Sequence, residues 1–410
     1  MRADQVKSLD KSDPLRSHRE KFKLPDGIIY LDGNSLGALP KSALNRVNEV
    51  VNNQWGLSLI SAWNDFDWIN LPARVGNKIG RLIGAEHNSV ICADSTSINL
   101  FKLLSAAVRL SPDRKVILSD TGNFPNDLYV IQGLIKQLDN NFQLRLVEPE
   151  EISEALREDV AVAVITEVDY RTGRKHNMAT LTAISKNKGV KIIWDLCHST
   201  GAFPVDLSGC EAELAVGCSY KYLNGGPGAP AFLYVSPELQ DRVQPPLSGW
   251  MGHAAPFDFD LDYRPGDGIS RNLCGTPGII SMSTLDAALD VWEDVDLQLV
   301  RQKSQKLFNL FADLVKELCS ETDLSLKTTF PEAERGSQIA FSHPQGYAII
   351  QALIDHGVIG DFRAPDILRF GLTPLYLSYE DVFRAVIILS DIMEKRTWDQ
   401  PKYHKRSLVT

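Results

Sequence analysis

Cys218-Ser219-Tyr220-Lys221-Tyr222-Leu223-Asn224-Gly225-Gly226-Pro227-Gly228 is the stretch on which the reading of this chain turns. A lone Lys stands just before a glycine-rich turn. Upstream, Asp195-Leu196-Cys197-His198 follows the apolar run Val190-Lys191-Ile192-Ile193-Trp194, which reads as a buried strand with Asp195 at its end. A strand-end carboxylate, a His three residues on and a Lys beside a tight turn suit pyridoxal phosphate (PLP). That cofactor needs an amine to hold it and a carboxylate opposite its ring nitrogen. Tyr220, beside the Lys, can donate to a phosphate or act as an acid. Taken singly, each residue has a plainer reading: a solvated loop Lys, a turn Asp. The ordered set is what points to chemistry. Cys197 next to Asp-x-x-His also raises the question of a metal. No second Cys or His pair stands at ligand spacing, so no metal is expected.

Around this stretch, short apolar strands alternate with helical segments from about 70 to 282. The strands are Lys115–Ser119, Gln143–Glu148, Val160–Thr166, Val190–Trp194, Leu214–Cys218 and Ala231–Val235. Helical patterns at Phe101–Leu110, Asn126–Gln137 and Ala179–Lys188 lie between them. Such alternation predicts an α/β fold, a mostly parallel central sheet covered by helices. Ligands on these sheets sit at the strand carboxyl ends, where Asp195 falls. From Ser283 an amphipathic pattern (Leu285, Leu289, Trp292, then Leu307, Leu310, Phe311, Leu314) leads into a smaller α+β domain. There, strands are expected near Gln338–Ser342 and Leu368–Phe370, and helices near Tyr347–His356 and Glu380–Met393. The expected division is an N-terminal arm (1–48) packing with the small domain, a large domain (49–282) and a small C-terminal domain (283–410).

Composition narrows the function classes. The 410 residues exceed a single core. A net charge of −9 without Lys/Arg blocks argues against nucleic acid as the main partner. Six scattered Cys form no disulfide framework, and the charged start Met1-Arg2-Ala3-Asp4 carries no secretory core, so a cytoplasmic setting is expected. Apolar runs such as Ala161–Ile165 and Ala385–Leu389 are too short to span a bilayer, so no membrane role is expected.

Further constellations fit the same site. Ser95-Thr96-Ser97 precedes the helical stretch Ile98–Leu110, and hydroxyls at a helix N-terminus suit an anion. An ordinary N-cap accounts for only one of them. Phe124-Pro125-Asn126-Asp127 follows a strand; an aromatic there can stack on a pyridine face, while Asp127 also suits a helix first turn. Arg369 lies in Leu368-Arg369-Phe370. A guanidinium between apolar neighbours is either in a structural ion pair or facing a cleft, where its fork suits an amino-acid carboxylate. Trp250 and Thr276 stand in glycine- and proline-rich loops of a kind that carries function or subunit contacts.

With these residues in view, the chain resembles one family over nearly its whole length. Gly33-Asn34-Ser35-Leu36-Gly37, Asp94–Asn99, Phe124–Asp127, Asp195–His198, Ser219–Asn224, Gly249–His253 and Leu368–Tyr376 look, in that order, like the motifs of kynureninase. Kynureninases are PLP hydrolases of the aspartate-aminotransferase fold type (fold type I). Single motifs are shared with cysteine desulfurases; the set, above all Ser-Tyr-Lys-Tyr-Leu-Asn with Gly-Trp-Met-Gly-His, is more specific. Cys218 and Ser199-Thr200-Gly201 depart from the pattern beside the functional positions rather than on them.

The resemblance implies roles. Lys221 carries the cofactor and Asp195 faces its ring nitrogen, with His198 close by. Phe124 lies over the ring with Pro125, Asn126 and Asp127 near it, and Thr96, Ser97, Thr166 and Tyr220 line the cofactor. Arg369 holds the substrate carboxylate, and Trp63, Gly275 and Thr276 meet the aryl end. Trp250 and Thr276 reach the site from the neighbouring subunit of a homodimer. The implied reaction is hydrolysis of L-kynurenine to anthranilate and L-alanine, in tryptophan degradation or NAD biosynthesis. Forms of the family with a polar residue near Trp63 and Asn in place of Thr276 favour 3-hydroxykynurenine, so this chain looks like the bacterial type, with 3-hydroxykynurenine the poorer substrate. The rival readings are a desulfurase or aminotransferase of the same fold, and a PLP-free binding protein.

Overall fold

The computed structural model describes residues 3–138 and 141–407, so the first two residues of the expected arm and the last three of the expected C-terminal domain lie outside the described residues. Seven strands form the central sheet: β1 (Val90–Cys92), β2 (Val116–Asp120), β3 (Gln143–Val147), β4 (Val160–Thr166), β5 (Lys191–Asp195), β6 (Leu214–Gly217) and β7 (Phe232–Val235). Their spatial order is β1-β7-β6-β5-β4-β2-β3. The neighbours from β3 to β6 are all parallel, whereas β7 runs antiparallel to both β6 and β1. The expected strands stand within a residue or so of their predicted bounds, and the sheet is mostly parallel as the alternation implies. The short strand β1 has no counterpart in the sequence reading: three apolar residues are too few to show a period.

The reversal at β7 has a physical cause. A parallel return needs a crossover long enough for a helix. Residues 218–231 instead spend their length on the Lys221 turn and the glycine loop, where Gly226 and Gly228 take positive φ.

β4 is Val-Ala-Val-Ala-Val-Ile-Thr, buried at every position. Such unbroken apolar runs are what a sheet covered on both faces requires. The register sets Thr166 beside Asp195 and Asp195 beside Val216. The polar residues that end these strands therefore share one edge, from which the chain runs on into Cys218–Lys221.

The C-terminal part holds a four-stranded antiparallel sheet of β8 (Ser325–Leu326), β9 (Gln338–Ser342), β10 (Asp361–Arg363) and β11 (Ile367–Gly371), in the order β8-β9-β11-β10. The 22-residue helix Leu297–Leu318 packs on it through Leu307, Leu310, Phe311 and Leu314, the predicted stripe. Phe311 stacks with Phe341 and Phe370 at centroid distances of 5.7 and 5.0 Å.

The N-terminal segment joins the two parts. Ile29–Tyr30 pairs in parallel with Val358–Ile359, and Lys303 holds Asp13 in a buried ion pair of 2.6 Å. The Gly37 N–H then donates to the Tyr220 carbonyl at 2.8 Å. A Cβ on Gly37 would lie 2.2 Å from the Lys221 carbonyl oxygen, so only glycine admits this approach.

Candidate active site

A cleft of about 340 Å³ opens at the carboxyl edge of β4 and β5. It gathers Thr96, Ser97, Phe124, Asn126, Asp127, Thr166, Asp195, His198, Tyr220, Lys221 and Arg369, eleven of the residues singled out from the sequence.

Lys221 and Asp195 reach the cleft from adjacent strands, β6 and β5. The Lys221 Nζ lies 2.9 Å from His198 Nε2. Burial and then the Lys221 charge hold the His198 imidazole well below its usual pKa, so the ring is neutral where it shares a hydrogen bond with Lys221 Nζ. Asp195 is buried; its Oδ1 accepts the Cys197 N–H at 2.7 Å, which turns the chain away from the strand end. Thr166 Oγ1 donates to Asp195 Oδ2 at 3.5 Å and also to Asn123.

Asp127 enters from the first turn of the helix Pro125–Gln137 and is almost fully buried against Asp195. Burial first, and then the Asp195 charge, raises its carboxyl well above the usual range. Two carboxyls this close do not both ionise unless a cation joins them. The N-terminus of the helix Thr96–Ala107 forms another wall. Ser95 caps it, accepting the Ile98 N–H at 3.4 Å, which leaves the Thr96 hydroxyl in the cleft; Ser97 donates to Asn126 at 3.1 Å. Phe124 stands at the mouth, set edge-on to Tyr170 at 5.1 Å. Next to the thiol of Cys218, and partly buried, the Tyr220 hydroxyl has its pKa pushed up and keeps its proton.

At the far end Arg369 is buried and paired with Asp361, its cross-strand neighbour. The Nε–Oδ1 distance is 2.8 Å; Nη2 also meets Asp361 Oδ2 and, at 2.9 Å, Ser35 Oγ, and Nη1 donates to the Tyr170 carbonyl. The two readings of Arg369 are thus both met: it makes a structural ion pair and it lines the cleft. Four of its five donors are committed, so a free two-pronged fork is not available in this geometry.

Pro125, at the start of its helix, does not line the cleft. Four other predicted residues also stand apart. Trp63 packs edge-on against Trp68 at 5.8 Å, and half-exposed Trp250 against Phe257 at 5.7 Å. Gly275 and Thr276 line a second cleft of about 250 Å³ with Asp94 and Gly228. Sequence reasoning missed Tyr170, Asp361 and Arg363, and quoted Asn34 and Ser35 within a family motif without giving them a role. For Asp361-Phe362-Arg363 a signal existed: two charges flanking an aromatic is a strand alternation.

The cleft fits PLP on its own evidence. The Asp127 Oδ2 and the His198 Nδ1 are buried without partners among the described residues, and a cationic ring nitrogen would relieve the close pair of carboxyls. The helix N-terminus offers hydroxyls and N–H groups to a phosphate, and Lys221 offers the amine. Fold and site together define a PLP-dependent enzyme of fold type I.

Comparison with known proteins agrees. The apo structure of a cysteine desulfurase from Thermococcus onnurineus NA1 superposes with a TM-score of 0.78 over 92% of this chain and 98% of its own, at 19% identity. A C-DES variant with glycine covalently linked to its PLP cofactor gives 0.79 over 91% and 99%, at 16% identity. The family model of the kynureninase C-terminal domain matches residues 300–389. The kynureninase of Pseudomonas fluorescens is 50% identical over 408 residues, 98% of either chain. That of Burkholderia mallei (strain SAVP1) is 48% identical over 412 residues, 99% of either chain. The chain belongs to the kynureninase family.

Proposed function

We propose that this protein hydrolyses L-kynurenine to anthranilate and L-alanine. The observation that carries the reading is one cleft in which Lys221, the Asp127–Asp195 pair and Arg369 meet, in a chain about half identical to kynureninases along its whole length. Lys221 would hold the cofactor, Asp195 would keep its ring nitrogen protonated, Thr96, Ser97 and Tyr220 would take its phosphate, and Phe124 would cover its ring. When bound, the cofactor supplies an electron sink for the bonds at the substrate's Cα. Lys221 would take the substrate's Cα proton at Nζ, with neutral His198 2.9 Å away. Water adds to the aryl ketone, and the Cβ–Cγ bond breaks. The Tyr220 hydroxyl, which keeps its proton until then, would give it to the side-chain carbon left by that bond and be recharged by the proton the added water releases, while Lys221 returns its own proton to Cα. Arg369 orients the carboxylate at the far end.

The finer features belong to the same reading. Trp63, Gly275 and Thr276 meet the aryl ring and disfavour 3-hydroxykynurenine. The protein is a homodimer in which Trp250 and Thr276 serve the partner's site; that they stand outside their own chain's cleft supports this. The arm (1–48) packs with the small domain (283–410), which the pairing of Ile29–Tyr30 with Val358–Ile359 supports, and the large domain (49–282) lies between them in the chain. A cytoplasmic setting is supported by six Cys without a disulfide framework. Among the described residues no helix is long and apolar enough to cross a membrane.

A desulfurase shares the fold but needs an exposed reactive thiol. The six Cys are buried or half-buried, and Cys92, Cys197, Cys210, Cys274 and Cys319 have their thiols pushed up in pKa. Cys218, lowered against the effect of burial by the Cys197 hydrogen bond and the Lys221 charge, is enclosed in the core. The test is anthranilate fluorescence on adding L-kynurenine to the holoenzyme. Absence of signal, with sulfide released from cysteine instead, overturns the reading.

A further inference from the structure

Arg363 lines the same cleft as Lys221 and Arg369, and no role described so far uses it. It stands two residues after Asp361 on β10, so both side chains leave the same face of the small sheet, and Arg369 lies directly across from Asp361. Ser35 sits among them. Its hydroxyl donates to Asp361 Oδ2 at 2.7 Å and receives Nη2 of both arginines, at 2.9 Å from Arg369 and 3.0 Å from Arg363.

The two guanidiniums are used very differently. Arg369 is 2% exposed and spends four donors on Asp361, Tyr170 and Ser35. Arg363 is 37% exposed and engages only Nη2, with Asp361 at 2.6 Å and with Ser35. Its Nε–H is buried without a partner among the described residues, and its Nη1 makes no hydrogen bond among them. With Nη2 spent, Nη1 keeps its two donors for whatever enters the cleft that Arg363 lines. A carboxylate is the acceptor that matches this charged donor. Asp361 alone faces two arginines. Asp32, the other carboxyl nearby, is pushed up to about 7 by burial and by Asp361, so it offsets only part of the remaining positive charge.

We propose that Arg363 is a second anchor of the substrate's α-carboxylate, binding it directly beside Arg369, while Asp361 and Ser35 hold the two guanidiniums in register. The proposal rests on the reading of this end of the cleft as the carboxylate subsite, and its test separates the two.

The probes are 4-(2-aminophenyl)-4-oxobutanoate and its primary amide. Both lack the α-amine, so they bind without reacting, and they differ only at the carboxylate. Affinities are measured by titration calorimetry on the holoenzyme and on Arg363→Gln, Arg363→Lys and Arg369→Gln, each checked for cofactor absorbance. In Arg363→Gln the acid should bind about 10- to 100-fold more weakly and the amide within about twofold of the parent, the loss expected for a charge-assisted contact. Arg363→Lys should fall between, since the charge stays and the guanidinium that Asp361 and Ser35 hold in place is lost. With L-kynurenine, KM should rise far more than kcat falls. If Arg363→Gln binds the acid like the parent while Arg369→Gln does not, the subsite stands and the role of Arg363 is overturned. Equal losses for acid and amide would make Arg363 merely structural, which also overturns it. If the parent does not prefer acid to amide, the subsite reading itself fails. Should Arg363→Gln not fold, Arg363→Lys decides by the same criteria.

Discussion

Gly37→Ala is the smallest change that should disable this enzyme without touching a group that reacts. The added Cβ would lie 2.2 Å from the Lys221 carbonyl oxygen, 2.5 Å from Asn224 Nδ2 and 2.8 Å from the Asn224 Cα. Ordinary contact between such atoms is about 3.5 Å, so roughly 1 Å of movement is required. Two of the three obstacles cannot swing aside: one is a backbone carbonyl, the other a Cα. The arm is tied at the same residue by the hydrogen bond from Gly37 to the Tyr220 carbonyl, and Asn224 Nδ2 is tied to the Ala38 carbonyl at 3.0 Å. The cheapest response is therefore a shift of the Tyr220–Asn224 turn relative to Asp195. Overpacking of this kind costs about 1–3 kcal/mol in stability, whereas a 1 Å misplacement of a reacting group can cost about a hundredfold in rate. Gly37→Ala should thus lower kcat for anthranilate release about a hundredfold, keep most of its thermal stability, and alter the visible spectrum of the bound cofactor. Turnover within about threefold of the parent, with an unchanged spectrum, would refute the argument that the arm sets the position of Lys221.

Lys221→Ala should retain weak, non-covalent PLP and show negligible turnover; near-parental activity would remove Lys221 from the centre of the mechanism. Mixing inactive Lys221→Ala and Trp250→Ala chains by unfolding and refolding should restore about a quarter of parental sites, because random pairing makes half the dimers hybrids with one intact site each. No recovery despite proven exchange would place Trp250 in its own chain's site. For Asp32 the folded value near 7 exceeds the ordinary 3.8, so the folded state holds a proton that the unfolded state has lost. Stability from this source is intact below about pH 4 and is lost as pH climbs through 7, by at most ~4 kcal/mol for a shift of about three units. Asp32→Asn should therefore match the parent in chemical denaturation near pH 4.5 and exceed it by about 1–3 kcal/mol at pH 8; an advantage of the same size at both pH values would contradict the assignment.

Much of this protein is written locally. β4 and β5 are legible because strands buried on both faces must be continuously apolar, and the helix Leu297–Leu318 because its stripe repeats over 22 residues. Asp195, His198, Tyr220 and Lys221 are legible because their order along the chain is the order in which parallel strands bring their ends to one edge. Residues paired across long separations are not legible in the same way. Nothing near Gly37 in the sequence says that Lys221 will lie against it, and nothing near Ser35 says that Asp361, Arg363 and Arg369 will close around its hydroxyl. The brief β1 was likewise settled by its pairing partner, β7, rather than by local pattern. The sequence by itself determined which chemical groups the protein owns and the edge of the sheet at which they emerge. Tertiary packing alone decided how many donors of Arg369 were already spent, which left Arg363 facing the cleft with donors to spare, because the supply of hydrogen bonds at a buried ion cluster depends on every element packed around it.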